Sequence, residues 1–142
     1  AVYEKLSHEV TATEEILRQN LFGERKNAEV LLADENGEAV GFALFFHNFS
    51  SFLGQPGIYV EDIFVLPEFR GRGYGKALLV SIARLAKMRD CGRMEWSVLD
   101  WNKPSIEFYH SLGALPMNEW TTQRMNRSAM DALAEQELPG ES

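Results

Sequence analysis

The run Ile58-Tyr59-Val60-Glu61-Asp62-Ile63-Phe64-Val65-Leu66 leads directly into a glycine-rich turn and then into a helix with one apolar face. Few small folds accept that order. A strand so rich in Ile, Val and Phe belongs inside a sheet, with both faces covered. From Gly75 to Asp90, Leu78, Ile82, Leu85 and Ala86 recur at helical spacing, and Cys91-Gly92 ends the helix. Arg93 to Leu99 alternates through Met94, Trp96 and Val98, so it is expected to return as a strand parallel to the first. Strand, helix and strand then make a βαβ crossover.

The rest of the chain fits around that unit. Thr11 and Glu14 form a capping box for a helix from about Ala12 to Phe22, with Gly23 as its left-handed stop. Ala28–Asp34 and Ala39–Phe49 read as strands joined by Asn36-Gly37, a type I′ turn. Ser50 to Gly57 reads as a loop. Asn102 caps a helix to about Leu112, with Pro104 in its first turn and Gly113 beyond its end. A last strand or two is expected in Leu115–Met125, and a short helix over Ser128–Glu137. The fold class is mixed α/β (α+β), in one domain covering residues 1–142.

Fourteen Lys and Arg against 21 Asp and Glu give a formal charge of −7, which disfavours nucleic-acid binding and favours cationic partners. The single cysteine, Cys91, excludes an internal disulfide. At a helix C-terminus its thiol is also a poor nucleophile. His8, His47 and His110 have no ligand spacing, so no metal is expected. No apolar run approaches the length of a membrane span, and the N-terminus lacks a secretory pattern, so the expected setting is cytoplasmic.

Chemistry is concentrated in Pro67-Glu68-Phe69-Arg70-Gly71-Arg72-Gly73-Tyr74-Gly75-Lys76. Three alternate glycines let backbone approach a ligand, and a helix N-terminus offers unpaired N–H groups. Arg70, Arg72 and Lys76 add positive charge, so the turn suits a pyrophosphate. It is not a Walker loop, because Ala77 follows Gly75-Lys76. It is not a Rossmann fingerprint either, because only Tyr74 separates Gly73 from Gly75.

Arg70-x-x-Gly73-x-Gly75, between strand and helix, resembles the acetyl-CoA loop of the GNAT superfamily of N-acetyltransferases. Tyr59-Val60-Glu61-Asp62-Ile63-Phe64-Val65 before it and Trp101-Asn102-Lys103-Pro104-Ser105-Ile106-Glu107-Phe108-Tyr109 after it are similar to the spermidine/spermine (diamine) N-acetyltransferase branch. That branch also includes thialysine acetyltransferases. The resemblance runs from Tyr3 to about Met125. It implies an acyl-CoA N-acyltransferase fold whose first strand and most of whose first helix would precede Ala1, with Ala1 to His8 as the end of that helix.

The resemblance also implies transfer of an acetyl group from acetyl-CoA to a primary amine of a small polyamine, diamine or lysine-like substrate, by direct attack in a ternary complex. Tyr109 is implied as the acid that protonates the departing sulfur, although spacing alone allows a core aromatic. Glu61 is the candidate acceptor of the amine proton, and an edge glutamate facing water is the alternative. Strand alternation places Asp62 on the opposite face unless a bulge intervenes, leaving it a cation-binding or structural residue. Ile63, Phe64 and Val65 would lie along the pantetheine arm, with Ile63 and Val65 backbone pairing to it as to an added strand. The loop from Arg70 to Lys76 would hold the diphosphate, and Asn102 and Ser105 would contact the arm or cap their helix. Tyr3, Glu4, Glu95, Trp96, Ser97 and Glu119 are candidates for the amine chain, through charge and aromatic faces. A homodimer is implied. The alternatives are acetylation of a protein N-terminus or lysine, and a CoA-binding module without catalysis.

Overall fold

The computed structural model describes residues 14–24 and 26–140. Readings that fall on Tyr3, Glu4, His8 and Thr11 therefore lie outside the described residues. The chain forms two compact units, Ala1–Leu99 and Asp100–Ser142.

The first unit runs α1 (Glu14–Phe22), β1 (Glu29–Glu35), β2 (Glu38–Ser50), β3 (Gln55–Val65), a 3₁₀ turn (Pro67–Phe69), α2 (Tyr74–Met88) and β4 (Arg93–Trp96). The sheet order is β1-β2-β3-β4, antiparallel except for the parallel β3–β4 pair. The crossover read from the sequence is therefore present, with α2 linking β3 to β4. Asn36 and Gly37 both take positive φ (54° and 83°), as a type I′ turn requires. Gly23 differs from expectation. It is absent from the positive-φ residues, and its N–H bonds to Gln19 O at 3.0 Å. A Cβ there would lie 2.3 Å from that carbonyl, so space rather than handedness requires the glycine.

One face of the sheet packs on α2. Ala43 and Phe45 of β2, Ile58 and Val60 of β3, and Leu78, Ile82 and Ala86 of α2 form the buried core. At 25–30 cal/mol per Å², each large aliphatic side chain buried here contributes about 1.5–3 kcal/mol. Two chelating hydrogen bonds from Arg89 to Glu29 (2.7 and 2.9 Å) tie β1 to the end of α2. The Arg89 partner holds the Glu29 carboxyl below its ordinary range.

The end of α2 is a Schellman motif. Asp90 N–H donates to Lys87 O at 3.2 Å and Cys91 N–H to Ala86 O at 2.9 Å. The residue that takes left-handed φ is Asp90 (58°), one step ahead of the Cys91-Gly92 pair that the sequence nominates.

β3 carries a bulge. Phe45 pairs with Val60 and Leu44 with Asp62, so Glu61 is an extra residue with no partner on β2. The core-facing positions consequently change from Ile58 and Val60 to Ile63 and Val65, which pack against the α2 side. The simple alternation expected for Glu61 and Asp62 fails here. Two successive acids oppose one residue of β2, and Asp62 comes to share the far face with Leu44 and Phe64.

The second unit contains α3 (Lys103–Ser111) and α4 (Arg127–Ala134). The strand expected in Leu115–Met125 is absent: residues 115–125 are all exposed and have no regular structure. A segment that buries neither face and finds no ladder partner gains nothing to offset its backbone entropy. Pro116 also removes a donor.

Two stability effects follow. Asp90→Gly relieves a left-handed conformation at a non-glycine residue while keeping both backbone bonds. It should stabilise by about 0.5–1 kcal/mol, raising Tm by about 2–4 °C in a thermal melt. Asp62 is half-buried, and desolvation raises its carboxyl pKa above the ordinary 3.8. The folded state thus holds that proton more tightly than the unfolded chain. Its stabilising contribution is full below the unfolded pKa and is lost as pH rises through the folded one. Asp62→Asn should raise Tm at pH 7 and give no gain near pH 3, whereas equal gains at both would contradict the assignment.

Candidate active site

The glycine-rich turn folds as a cradle. After the Pro67–Phe69 turn, Gly71 and Gly73 take left-handed φ of 78° and 87°, which L side chains rarely adopt. Gly73 is the N-cap of α2, and no side chain caps the helix. The first intrahelical bond runs from Ala77 N–H to Gly73 O at 2.9 Å, so the amides of Tyr74, Gly75 and Lys76 lie ahead of the ladder. A Cβ at Gly71, Gly73 or Gly75 would meet no protein atom within 4 Å. Gly75 lies inside the helix and has no positive φ, so nothing within the chain demands a glycine there. The open surface and free amides fit an anion that approaches the backbone closely.

The cations of the turn are individually placed. Arg72 pairs with Glu35 at 3.3 Å and lies over the Phe69 ring at 5.0 Å. Arg70 donates from Nε to Val65 O at 3.0 Å and lies over the Phe64 ring at 5.6 Å. Lys76 is exposed. Burial and the nearby Glu35 carboxylate push the Tyr74 phenol pKa upward.

Directly before the turn, the sheet opens. β4 pairs with β3 only from Gly57↔Arg93 to Val60↔Trp96. From Glu61 to Val65, β3 has no strand partner on that side among the described residues. Leu66 N–H bonds to Val40 O at 2.8 Å, toward β2. Backbone groups alternate in direction, so Ile63 and Val65 turn theirs to the open edge. These are the two residues expected to pair with an added strand. Glu61, the bulged residue, is exposed where the opening begins.

The face away from α2 carries polar side chains. Tyr59 and Ser97 share a hydrogen bond of 2.5 Å between hydroxyls. Glu95 accepts from Asn48 Nδ2 at 3.2 Å and pairs with Arg93 at 3.1 Å, so its charge is already partly compensated. Asn48 Oδ1 is buried without a partner. Trp96 packs against the core, where strand alternation places it. Sequence reasoning singled out Glu95 and Ser97 but missed Asn48, Tyr59 and Arg93. Strand register brings Asn48 and Tyr59 to this face, whereas Arg93 lies two residues before Glu95 on the same strand.

In the second unit, Asn102 Oδ1 accepts from Ser105 N–H at 3.4 Å and caps α3. Asn102, Ser105, Ile106 and Tyr109 are its less exposed positions and share one helix face, whereas Glu107, Phe108 and His110 are exposed. The Phe108 and Tyr109 rings lie 5.7 Å apart. Glu119 is exposed in the irregular stretch that follows. An open depression of about 610 Å³ beside α1, lined by Glu14, Glu15, Arg18, Gln19, Phe22 and Gly23, includes none of these residues.

Comparison with known proteins agrees with this geometry. The chain is 41% identical over 112 residues to an L-ornithine N5-acetyltransferase of Arabidopsis thaliana, covering 78% of this chain and 49% of that protein. It is 35% identical over 145 residues to the thialysine N-epsilon-acetyltransferase of Mus musculus, covering 94% and 85%. The chain thus spans about half the length of the plant relative and most of the mouse one. Among solved structures, an integron cassette protein from V. cholerae superposes with a TM-score of 0.79 at 26% identity, covering 93% of this chain and 84% of that one. An aminoglycoside N-acetyltransferase in complex with CoA superposes with a TM-score of 0.62 at 26% identity, covering 78% and 88%. A family profile described as the acetyltransferase (GNAT) family matches residues 1–114, and the chain belongs to that family of acetyltransferases.

Proposed function

We propose that this chain transfers the acetyl group of acetyl-CoA to a primary amine of a small diamine, polyamine or lysine-like amino acid. The ω-amine of a lysine- or ornithine-like substrate is favoured by the names of the relatives reported above. One observation carries the reading. β3 has no strand partner on its β4 side over Glu61–Val65 among the described residues, and runs directly into a helix N-terminus with open glycines at 71, 73 and 75. An extended amide chain ending in a diphosphate matches that edge-then-cradle order.

Acetyl-CoA would supply a thioester, an acyl donor with a tolerable leaving group. The protein's part begins with the amine. An alkyl ammonium has a pKa of about 10.4, so its neutral form at pH 7 costs about 4.6 kcal/mol. Glu61 accepts that proton, directly or through water, from its place at the mouth of the opening. Backbone N–H groups on the open edge donate to the oxygen where negative charge develops. Tyr109 donates its phenolic proton to the departing sulfur. Asn102 and Ser105, on the same face of α3, line the arm. Amine recognition falls to Asp62, with Tyr3, Glu4, Glu95, Trp96, Ser97 and Glu119 carried over by resemblance, although Trp96 itself packs against the core. In this reading the two units act as one acetyltransferase domain in a cytoplasmic setting, and the resemblance adds a homodimer.

A thiol-release assay with thialysine, ornithine, lysine, spermidine and putrescine tests the activity. Turnover on at least one is expected, and none, despite binding of acetyl-CoA, would leave only a binding module. Tyr109→Phe should lower kcat by about 10²-fold with little change in the KM for acetyl-CoA. Glu61→Gln should lose most at pH 7 and progressively less toward pH 10, where the amine sheds its proton unaided. A pH-independent deficit would remove Glu61 from proton transfer.

A further inference from the structure

The Arg70 side chain is not directed at the cradle whose sequence it opens. It folds back, donating from Nε to Val65 O at 3.0 Å with its guanidinium carbon 5.6 Å from the centre of the Phe64 ring. Val65 is the last residue of β3, and the next N–H, that of Leu66, is committed to Val40 O at 2.8 Å on the β2 side. Strand geometry therefore turns the Val65 carbonyl toward the edge that β4 does not cover, where its pairing with β3 stops at Val60↔Trp96. An exposed sheet edge invites unwanted pairing unless something blocks it. A planar, permanently charged guanidinium anchored on an aromatic ring is suited to that task.

We infer that Arg70 is a displaceable cap on the open edge of β3: a ligand that extends the sheet along Ile63–Val65 competes with it for the Val65 carbonyl. The inference rests on the coenzyme reading above and assigns this side chain a second role. A carbonyl oxygen can accept two bonds, but an amide N–H arriving along the edge approaches the side of the Val65 oxygen that Arg70 Nε–H already occupies, and two donors there repel and weaken each other, so ligand pairing and Arg70 release are linked. Lost capping energy is subtracted from the affinity of any strand-like ligand. Arg70 consequently sets selectivity. A ligand that brings only amides must displace the cap without recompense, whereas one that also brings phosphates offers the released cation a new partner.

Pantetheine, which has the amides and no phosphate, isolates this effect. Its affinity for the full chain and for Arg70→Met can be measured by titration, with CoA as the reference ligand and thermal melts checking the fold. The variant should bind pantetheine about two- to tenfold more tightly, the net value of one hydrogen bond. Unchanged or weaker binding would overturn the cap. If the variant does not fold, the Arg70 Nε–H resonance of the unmodified protein decides. It should shift on addition of pantetheine alone, and pantetheine binding that leaves it unmoved overturns the inference equally. Failure of the unmodified protein to bind CoA at all would instead defeat the coenzyme reading, and this inference with it.

Discussion

The extra residue at Glu61 is the constraint on which the rest of the first unit depends. Without it, the parity that points Ile58 and Val60 into the α2 core would carry Asp62 and Phe64 there as well. Asp62 would then be an ionised carboxylate among Ala43, Phe45 and Ile82, a burial whose desolvation cost runs to several kcal/mol. The bulge resets the count, so that Ile63 and Val65 take the core positions and Asp62 moves to the far face beside Leu44. One inserted residue lets an acid pair exist in a central strand. Because bulges also bend and twist the bulged strand, the parallel ladder to β4 ends next to it, at Val60. Acid placement and edge opening are thus two consequences of one irregularity.

The turn that follows solves a related problem of satisfaction. A helix N-terminus leaves donors unpaired, and most helices cap one of them with a side chain. Here the N-cap is Gly73, which has no side chain to offer. The second unit shows the contrast: α3 and α4 are capped by Asn102 and Asn126 through their side-chain oxygens. A glycine cap on α2 forgoes only about a few tenths of a kcal/mol of helix stability relative to a side-chain cap, and keeps its first amides available to an anion.

Much of this was legible in the sequence, for reasons that can be located. Periodicity revealed α2 and the strand before it because apolar burial is one-sided in the helix and dense in the strand. Asn36-Gly37 identified its turn because few residue pairs accept two positive φ values. The bulge was not legible, since Glu61-Asp62 in a regular strand and in a bulged one have the same letters. Register decides, and register comes from β2. The contact of Asn48 with Glu95 escaped notice for the same reason, because strand pairing joins them across 47 residues, whereas Arg93 lies only two residues from Glu95 on the same strand. Leu115–Met125 misled in the opposite direction. Its composition permits a strand, but a strand exists only where another strand accepts it.

Charge organises what remains. The chain carries −7 overall, yet the residues around the cradle include Arg70, Arg72 and Lys76. An acetyltransferase that joins a polyanionic donor to a cationic acceptor must attract both without letting either field cancel the other. Locality resolves the conflict, because at physiological salt the Debye length is about 8 Å. Within that range the helix amides and nearby cations govern, and beyond it the acidic surface does. The Arg72–Glu35 pair fits this arrangement, since an acid at 3.3 Å moderates one of the three cations and leaves the field of the turn short-ranged. Under the function proposed above, a cationic amine can approach a surface that is negative overall while a small positive patch next to the open strand holds the diphosphate.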